Sequence, residues 1–326
     1  MYRLFRTCVY LAIFCLCTLT LPRNSVAQQA DTLQLLTLPA GSMAYRVGVT
    51  LAATLTRTTP YKTIVAGYGG AQVMIPMLDR GRAELALLNA NDAGQGFRGE
   101  ATFRQANTNL RLISNAYANT VGVIVARDSD IKTIADIRGK RVTGAFSSHK
   151  SCEQLAEAQM ANMGLSRADV RIVPVSTPVA SVEALSEGRA DVALCATPGM
   201  PAILEAGAKN GIRYLGLDPS PEAVQRLQKV FAAGTISLQK KGSIPDLTED
   251  TWLLGYDYYL VGSTHLSDAA VKQILTVLWE EHETLVGENR EFETWSTERM
   301  AISAGTIPYH NAAIEFFKSK GIHLPQ

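Results

Sequence analysis

One ten-residue pattern, L-x-x-G-R-A-[Asp/Glu]-[Leu/Val]-A-L, occurs twice in this chain, from Leu78 to Leu87 and again from Leu185 to Leu194. The offset of 107 residues is too long for a solenoid repeat and close to the size of one lobe of a two-lobed protein. In each copy the glycine, Gly81 or Gly188, suits a helix C′ position, where the left-handed conformation is common. The apolar residues after it suit a core strand. Two such copies imply two similar α/β lobes, and a cleft between them in which a ligand is held.

The rest of the chain reads in the same alternation. Strands are expected at 33–38, 61–66, 84–88, 110–116 and 121–126, and in the second lobe at 141–145, 170–175, 191–195 and 213–217. Helices fill the intervals. Ser42 is a candidate N-cap, Thr133 to Asp136 resembles a capping box, and Pro178 suits the first position of a helix after Thr177. A further strand is expected at Tyr258–Val261. An amphipathic helix should then carry Val271, Ile274, Leu275, Leu278, His282 and Leu285 on one face. Strand–helix–strand order predicts mostly parallel sheets flanked by helices. The chain is expected to cross between lobes near 117–127 and again between 218 and 258. That places residues 28–122 plus 256–326 in the first lobe and 123–255 in the second, with a hinge at the crossings.

The N-terminus has the form of a signal peptide, 1–27. Arg3 and Arg6 precede an apolar stretch from Cys8 to Leu21, and Ser25-Val26-Ala27 fits a small-x-small cleavage site. A retained anchor and a lipoprotein are the competing readings. The apolar stretch is short for a membrane span, and Thr7, Phe14 and Leu16 stand where a lipid-attachment cysteine usually follows a small residue. Cleavage after Ala27 removes three of the 31 basic residues and none of the 30 acidic ones, leaving 28 against 30. A nearly neutral chain offers no electrostatic case for nucleic acid or a membrane surface. A mature chain in the periplasm would keep only Cys152 and Cys195. An oxidising compartment permits their disulfide, and two buried thiols are the alternative.

In doubly wound sheets, ligands sit beyond the carboxyl ends of the strands. The loops at those ends supply the candidate ligand-binding residues. Ser42, Met43 and Tyr45 follow the first strand, and Tyr68, Gly69 and Gly70 the second. Asn89, Asn91 and Asp92 follow the third. Ser147, Ser148, His149 and Ser151 lead into a helix of the second lobe, and Thr197 and Pro198 follow the second copy of the repeat. Hydroxyls beside unpaired helix N–H groups suit a carboxylate, and His149 or Lys150 would add charge. One Ser acting only as a helix cap is the plainer alternative. Gly69 and Gly70 allow close approach of backbone, and the tyrosines offer a stacking face. Asp92 would hold an ammonium if the ligand were an amino acid; otherwise it caps a helix. His310 reads as structural, and Arg82 and Arg189 as surface-turn residues. Cys152 with His149 three residues earlier resembles a nucleophile pair, but a non-enzymatic binding role is the expected one. No metal cluster or phosphate loop is evident, and no cofactor is expected.

Five segments carry a resemblance to a known family. Ala40 to Gly48 is similar to G-G-x-Y-Y-P-V-G, and Tyr68-Gly69-Gly70-Ala71 to T-G-G-S. Leu78 to Asp92 follows L-x-x-G-x-A-D-L-x-x-x-x-x-D. Ile134 to Val142 follows L-x-D-L-x-G-K-x-V, and Ile307 to Ile314 is similar to P-x-H-P-G-A-I. In this order they resemble the TAXI-type solute receptors of TRAP transporters. The resemblance implies a two-lobed periplasmic binding protein of the type II-like kind. It would capture a small organic anion, a carboxylate such as glutamate or 2-oxoglutarate among them, and deliver it to a TRAP-type permease. A ligand-sensing receptor for a signalling partner is the alternative. The departures fall in the ligand loops, at Phe146–Ser151 and Asn89–Asp92.

Overall fold

A computed structural model describes residues 31–326 except 245–246, 303–304 and 325–326. The segment read as a signal peptide lies outside the described residues. The chain begins with β1 (Thr32–Thr37), α1 (Met43–Thr58), β2 (Lys62–Gly67), α2 (Ala71–Asp79), β3 (Leu85–Asn89) and α3 (Ala90–Arg98). A 17-residue strand, β4 (Leu110–Ala126), comes after them. Next are β5 (Arg141–Gly144), α4 (Lys150–Asn162), β6 (Arg171–Pro174), α5 (Pro178–Ser186), β7 (Ala193–Ala196), α6 (Pro201–Asn210), β8 (Ile212–Leu215), α7 (Pro221–Val230) and β9 (Thr235–Gln239). The chain returns through β10 (Thr251–Ser263), α8 (Asp268–Glu280), α9 (His282–Glu288) and α10 (Asn311–Ser319). Among the described residues no helix is long and apolar enough to cross a membrane.

The start and stop signals behave as their chemistry demands. Ser42 caps α1, its hydroxyl accepting from the Tyr45 N–H at 3.1 Å. Thr177 caps α5 with Pro178 directly after it. Thr133 and Asp136 form a reciprocal capping box on a short 3-10 turn, Ile134–Ile137. Gly164 closes the turn after α4 with φ +70°. The expected single amphipathic helix near 271–285 is instead two, α8 and α9, broken at Glu281. Its apolar face survives the break, since Val271, Ile274, Leu275, Leu278 and Leu285 are all buried. The His282 Nε2 lies 2.9 Å from the Phe292 carbonyl, which holds the second helix to the turn after it.

β1 pairs in parallel with both β2 and β3. β5 and β6 pair in parallel, and an isolated parallel bridge, Val142 to Val192, brings the start of the β7 segment beside them. These are the α/β halves anticipated from the repeat, with sheets flanked by helices, but the sheets are mixed rather than mostly parallel, because β4 and β10 pair antiparallel with each other and with β3, β7, β8 and β9. They are joined by continuous strands rather than by loops. The two strands expected at 110–116 and 121–126 are one, β4, and β10 is far longer than its expected core. β4 and β10 lie antiparallel from Leu110↔Ser263 to Val121↔Leu254, with irregularities between Asp257 and Tyr259 and between Leu260 and Val261. At one end this pair adjoins β3; at the other it adjoins β7, β8 and β9. The intervening residues, Asn115 to Thr120, contain no Gly or Pro and keep the ladder going, so no turn residue breaks the strand there.

Both copies of the repeat adopt one geometry. Gly81 has φ +62° and Gly188 φ +72°. The Gly81 N–H donates to the Leu78 carbonyl and the Arg82 N–H to Met77; in the second copy Gly188 donates to Leu185 and Arg189 to Ala184. These are matched left-handed helix stops. The acidic residue has a matched task as well. The Glu84 carboxylate accepts the Gln34 N–H of β1 at 2.7 Å, and the Asp191 carboxylate accepts the Arg141 N–H of β5 at 2.8 Å. Each carboxylate thus ties its own strand to the first strand of its lobe.

Candidate functional site

The ends of the parallel strands bring α3 and α4 face to face. Asn89 ends β3 and caps α3, its side-chain oxygen accepting the Asp92 N–H at 2.7 Å. The same amide donates through Nδ2 to Asp92 Oδ2 at 2.7 Å, and more weakly to Ser151 Oγ at 3.4 Å. Ser151, in the first turn of α4, donates its hydroxyl to Asp92 Oδ2 at 2.5 Å. One turn further on, Asn91 donates to Gln154 Oε1 at 3.0 Å and Gln154 donates to Gln95 Oε1 at 3.2 Å. This row of side-chain hydrogen bonds forms a seam between the first lobe and the second. Asn89, Asn91, Asp92 and Ser151 are all buried.

Asp92 is the electrostatic centre of the seam. Burial pushes its carboxyl above the ordinary carboxylate range, against the opposing effect of the Ser151 and Asn89 hydrogen bonds. Both side-chain donors are neutral and both reach Oδ2. Among the described residues no cationic side chain pairs with it.

The second-lobe rim is built differently. Ser147 and Ser148 are exposed, but their backbone N–H groups donate to Val175 and Ser176. The Phe146 N–H donates to the Glu153 carboxylate at 2.8 Å. The amides just ahead of α4 are therefore occupied, and a carboxylate of the protein already stands at this end of α4. What Ser147 and Ser148 retain is their hydroxyls. His149 precedes α4 with its Nδ1 buried and without a hydrogen-bond partner, and burial lowers its pKa. The Lys150 ammonium bonds back to the Phe146 carbonyl at 3.2 Å.

Cys152 and Cys195 are joined in a disulfide, with Cα atoms 5.6 Å apart. It fastens the first turn of α4 to the end of β7. A thiolate nucleophile at Cys152 is thereby removed, and with it the Cys152/His149 pair. Ala145 and Cys195, at the ends of β5 and β7, have φ of +51° and +56°. Two non-glycine residues in the left-handed region mark this rim as strained backbone held by its surroundings. Beyond Cys195, Thr197 and buried Pro198 form a turn closed by the Met200 N–H on the Thr197 carbonyl.

The remaining candidates sit on the first-lobe rim. Met43 and Tyr68 are half-buried against the core, and Tyr45 is half-buried on α1. Gly69 is exposed and Gly70 caps α2 through its backbone. None of their side chains joins the seam. His310 caps α10: its Nδ1 accepts the Ala312 N–H at 3.2 Å and its Nε2 faces the Leu266 carbonyl. Arg82 is exposed, and Arg189 pairs on the surface with Glu187.

One part of the site lies outside the loops that the sequence singles out. Where β4 and β10 cross from lobe to lobe, Tyr117 stacks on Tyr258 with ring centres 4.8 Å apart, and Tyr258 stands 5.9 Å from Tyr256. The Asn119 amide donates to the Tyr256 hydroxyl at 2.8 Å. Tyr117 is fully buried and its hydroxyl has no partner. Burial raises all three phenols, and the Asp92 charge adds to the rise at Tyr256 and Tyr258. The sequence signal for this group is the Y-x-Y alternation at 256–258, which puts both rings on one face of a strand. A shallow surface depression lined by Gln72, Pro76, Arg80, Phe103 and Asn107 shares no residue with this site.

Comparison with known proteins gives the same architecture. Residues 35–321 match the NMT1-like family. A structure described as a periplasmic transporter superposes with a TM-score of 0.54 at 12% identity, covering 90% of this chain and 93% of that one. A TctC solute-binding protein from Polaromonas gives 0.51 at 14% identity over 82% and 88%. A binding-protein component of a phosphonate ABC transporter from Pseudomonas aeruginosa gives 0.50 at 10% identity over 82% and 80%. These likenesses establish the periplasmic binding-protein fold.

Proposed function

Since the chain belongs to the NMT1-like family, we propose that it is an extracytoplasmic solute receptor. It is exported by a cleaved signal peptide, captures a small organic acid or amino acid between its lobes, and delivers it to a membrane permease. The observation that carries this reading is the seam: polar side chains from both lobes, Asn89 and Asp92 on one side and Ser151 on the other, meet at the carboxyl ends of parallel strands. A solute contacting both sides would favour the closed arrangement by its differential affinity for it. The bounds 28–122 plus 256–326 and 123–255 make β4 and β10 the hinge, and two adjacent strands constrain closure to one direction of bending. Binding needs no bond-making, and the disulfide at Cys152 leaves the second rim without its candidate nucleophile.

The finer reading rests on the sequence resemblance: a TAXI-type receptor whose partner is a TRAP-type permease. Ser42, Met43, Tyr45, Tyr68, Gly69 and Gly70 line the first rim. Ser147, Ser148, His149, Thr197 and Pro198 line the second. A closed receptor presents a surface composed from both lobes, by which a permease tells loaded from empty protein. Uptake of radiolabelled solute by cells lacking the receptor gene tests this, after a thermal-shift screen of acids and amino acids has found a binder. Loss of uptake, restored by the gene, is expected. Normal uptake with a lost transcriptional response to the same solute would replace the transport reading with a sensory one.

A further inference from the structure

The outer face of the first lobe carries a depression of about 370 Å³ that shares no residue with the seam or its rims. One wall is α2 with its C-cap, which lines it with Gln72, Pro76 and Arg80, a single stripe at helical spacing. The other wall is the loop 99–107, which contributes Phe103 and Arg104. This loop is held in place at several points. Gly99 takes φ +73°, and a Cβ there would lie 2.5 Å from the Ala106 nitrogen, so only glycine lets the loop fold back so closely. Ala101 has φ +54°, a conformation that a non-glycine residue keeps only where its surroundings enforce it. The buried Asn107 side chain donates to the Gly96 carbonyl at 2.8 Å and to the Gln105 carbonyl at 3.1 Å, closing the loop at its end. Phe103 is buried and anchors the middle. One side-chain hydrogen bond, from Gln72 Nε2 to Thr102 Oγ1 at 3.3 Å, ties the two walls together.

The charge along these walls is unbalanced. Among the described residues, neither the Arg80 nor the Arg104 guanidinium has a hydrogen bond or an ion pair, and no acidic side chain lines the depression. The neighbouring arginines are satisfied: Arg98 pairs with Glu100, and Arg111 donates to the Thr108 and Leu110 carbonyls. Asp79, next to Arg80 in the chain, accepts the Asn109 N–H at 3.0 Å. We propose that this depression is a second ligand site, which takes the phosphate group of free phosphate or of a phosphate monoester between Arg80 and Arg104. Two guanidiniums call for two negative charges; a phosphate monoester carries about −1.5 to −2 at neutral pH, whereas a monocarboxylate supplies one. The terminal oxygens of a phosphate accept from both planar forks at once. A concave surface of one sign of charge also concentrates such an anion. Pro76 and Phe103 add an apolar edge for the carbon part of an ester. The site lies apart from the cleft, so its occupancy does not depend on the receptor reading.

The test follows inorganic phosphate and glycerol 1-phosphate by thermal shift and calorimetry at constant ionic strength, with acetate as the monovalent control. Saturable binding of at least one phosphate, about 10-fold or more tighter than acetate, is expected. Arg80→Gln and Arg104→Gln, checked for folding by circular dichroism, should each weaken it about 10-fold. Arg82→Gln, at an exposed arginine outside the depression, should leave it unchanged. In the wild-type protein, the arginine Nε–Hε signals in nuclear magnetic resonance should shift at Arg80 and Arg104 and not elsewhere. Vesicles of phosphatidylcholine containing phosphatidic acid carry the same group; binding to them alone, lost in the same two variants, would assign the phosphate to a lipid headgroup. Absence of binding by all three phosphates would overturn the inference. Acetate binding as tightly as phosphate, shifts spread over all the exposed arginines, or an affinity that both variants leave unchanged would overturn it as well.

Discussion

The two lobes share a motif and differ in the residues just beyond it. In both, a left-handed glycine stops a helix, and an acid one turn later accepts a backbone N–H from the first strand of its own sheet. The resulting strands then end in opposite ways. β3 ends in Asn89, an N-cap, and Asp92 sits in the first turn after it, held only by hydrogen bonds. β7 reaches Cys195, in the left-handed region and cross-linked to α4. The repeat therefore encodes scaffold, while the residues past it decide how firmly each strand end is fixed. One face is stapled covalently; the other is held by hydrogen bonds alone.

The largest effect should come from cutting the staple. The cross-link spans 43 residues, and closing a loop of that size restricts the unfolded chain by about 4 kcal/mol. Cys152→Ala, or reduction in denaturant, should lower the stability of the wild-type protein by roughly that amount. Amide exchange should quicken first in α4 and β7 and leave β1–β3 protected. Uniform quickening across both lobes would mean that the two faces are not held differently. A smaller effect separates the two glycines. Alanine at either position must adopt positive φ, at a cost of roughly 1–2 kcal/mol. At Gly81 a methyl group would also lie 3.0 Å from His265 Cγ, whereas at Gly188 it meets nothing within 4 Å. Gly81→Ala should therefore destabilise more than Gly188→Ala in urea melts. Equal losses would show that His265 moves freely aside.

Much of this is legible in the chain itself, and the limits are instructive. Helix boundaries are marked by local chemistry, as at Ser42, Thr177 and Gly164, so they can be read without tertiary knowledge. The repeat announces the two lobes because its glycine and its apolar run answer to backbone geometry alone. The continuity of β4 is not legible, because a strand passing between lobes has no turn residue to announce it. Asn89, Asp92 and Ser151 are each identifiable from loop position, yet their union is not. Asp92 and Ser151 are 59 residues apart, and only the packing of α3 against α4 joins them. The pairing of the Ser147 and Ser148 amides escapes the sequence for the same reason: their acceptors, Val175 and Ser176, belong to a neighbouring strand end. Tyr117 and Tyr258 become neighbours only through the pairing of β4 with β10.

The finest distinction between the lobes lies in the sign of a proton's effect. Asp191 accepts hydrogen bonds from Arg141, chiefly from its guanidinium, and these hold its carboxyl below the ordinary range. Its stabilising contribution is present above the unfolded value and is lost as pH falls through the native one. Asp92 is raised instead, mainly by burial. The native protein binds its proton more tightly than the unfolded chain does, so stability should rise as pH falls through the native value and level off below the unfolded one. Scanning calorimetry at several pH values between about 4 and 7 separates the two. At neutral pH Asp191→Asn should melt slightly below wild type, by a small margin because the pair is largely exposed. Asp92→Asn should melt above wild type, and both gaps should close on acidification. An Asp92→Asn protein melting below wild type at neutral pH would mean that the seam stabilises the carboxylate without help.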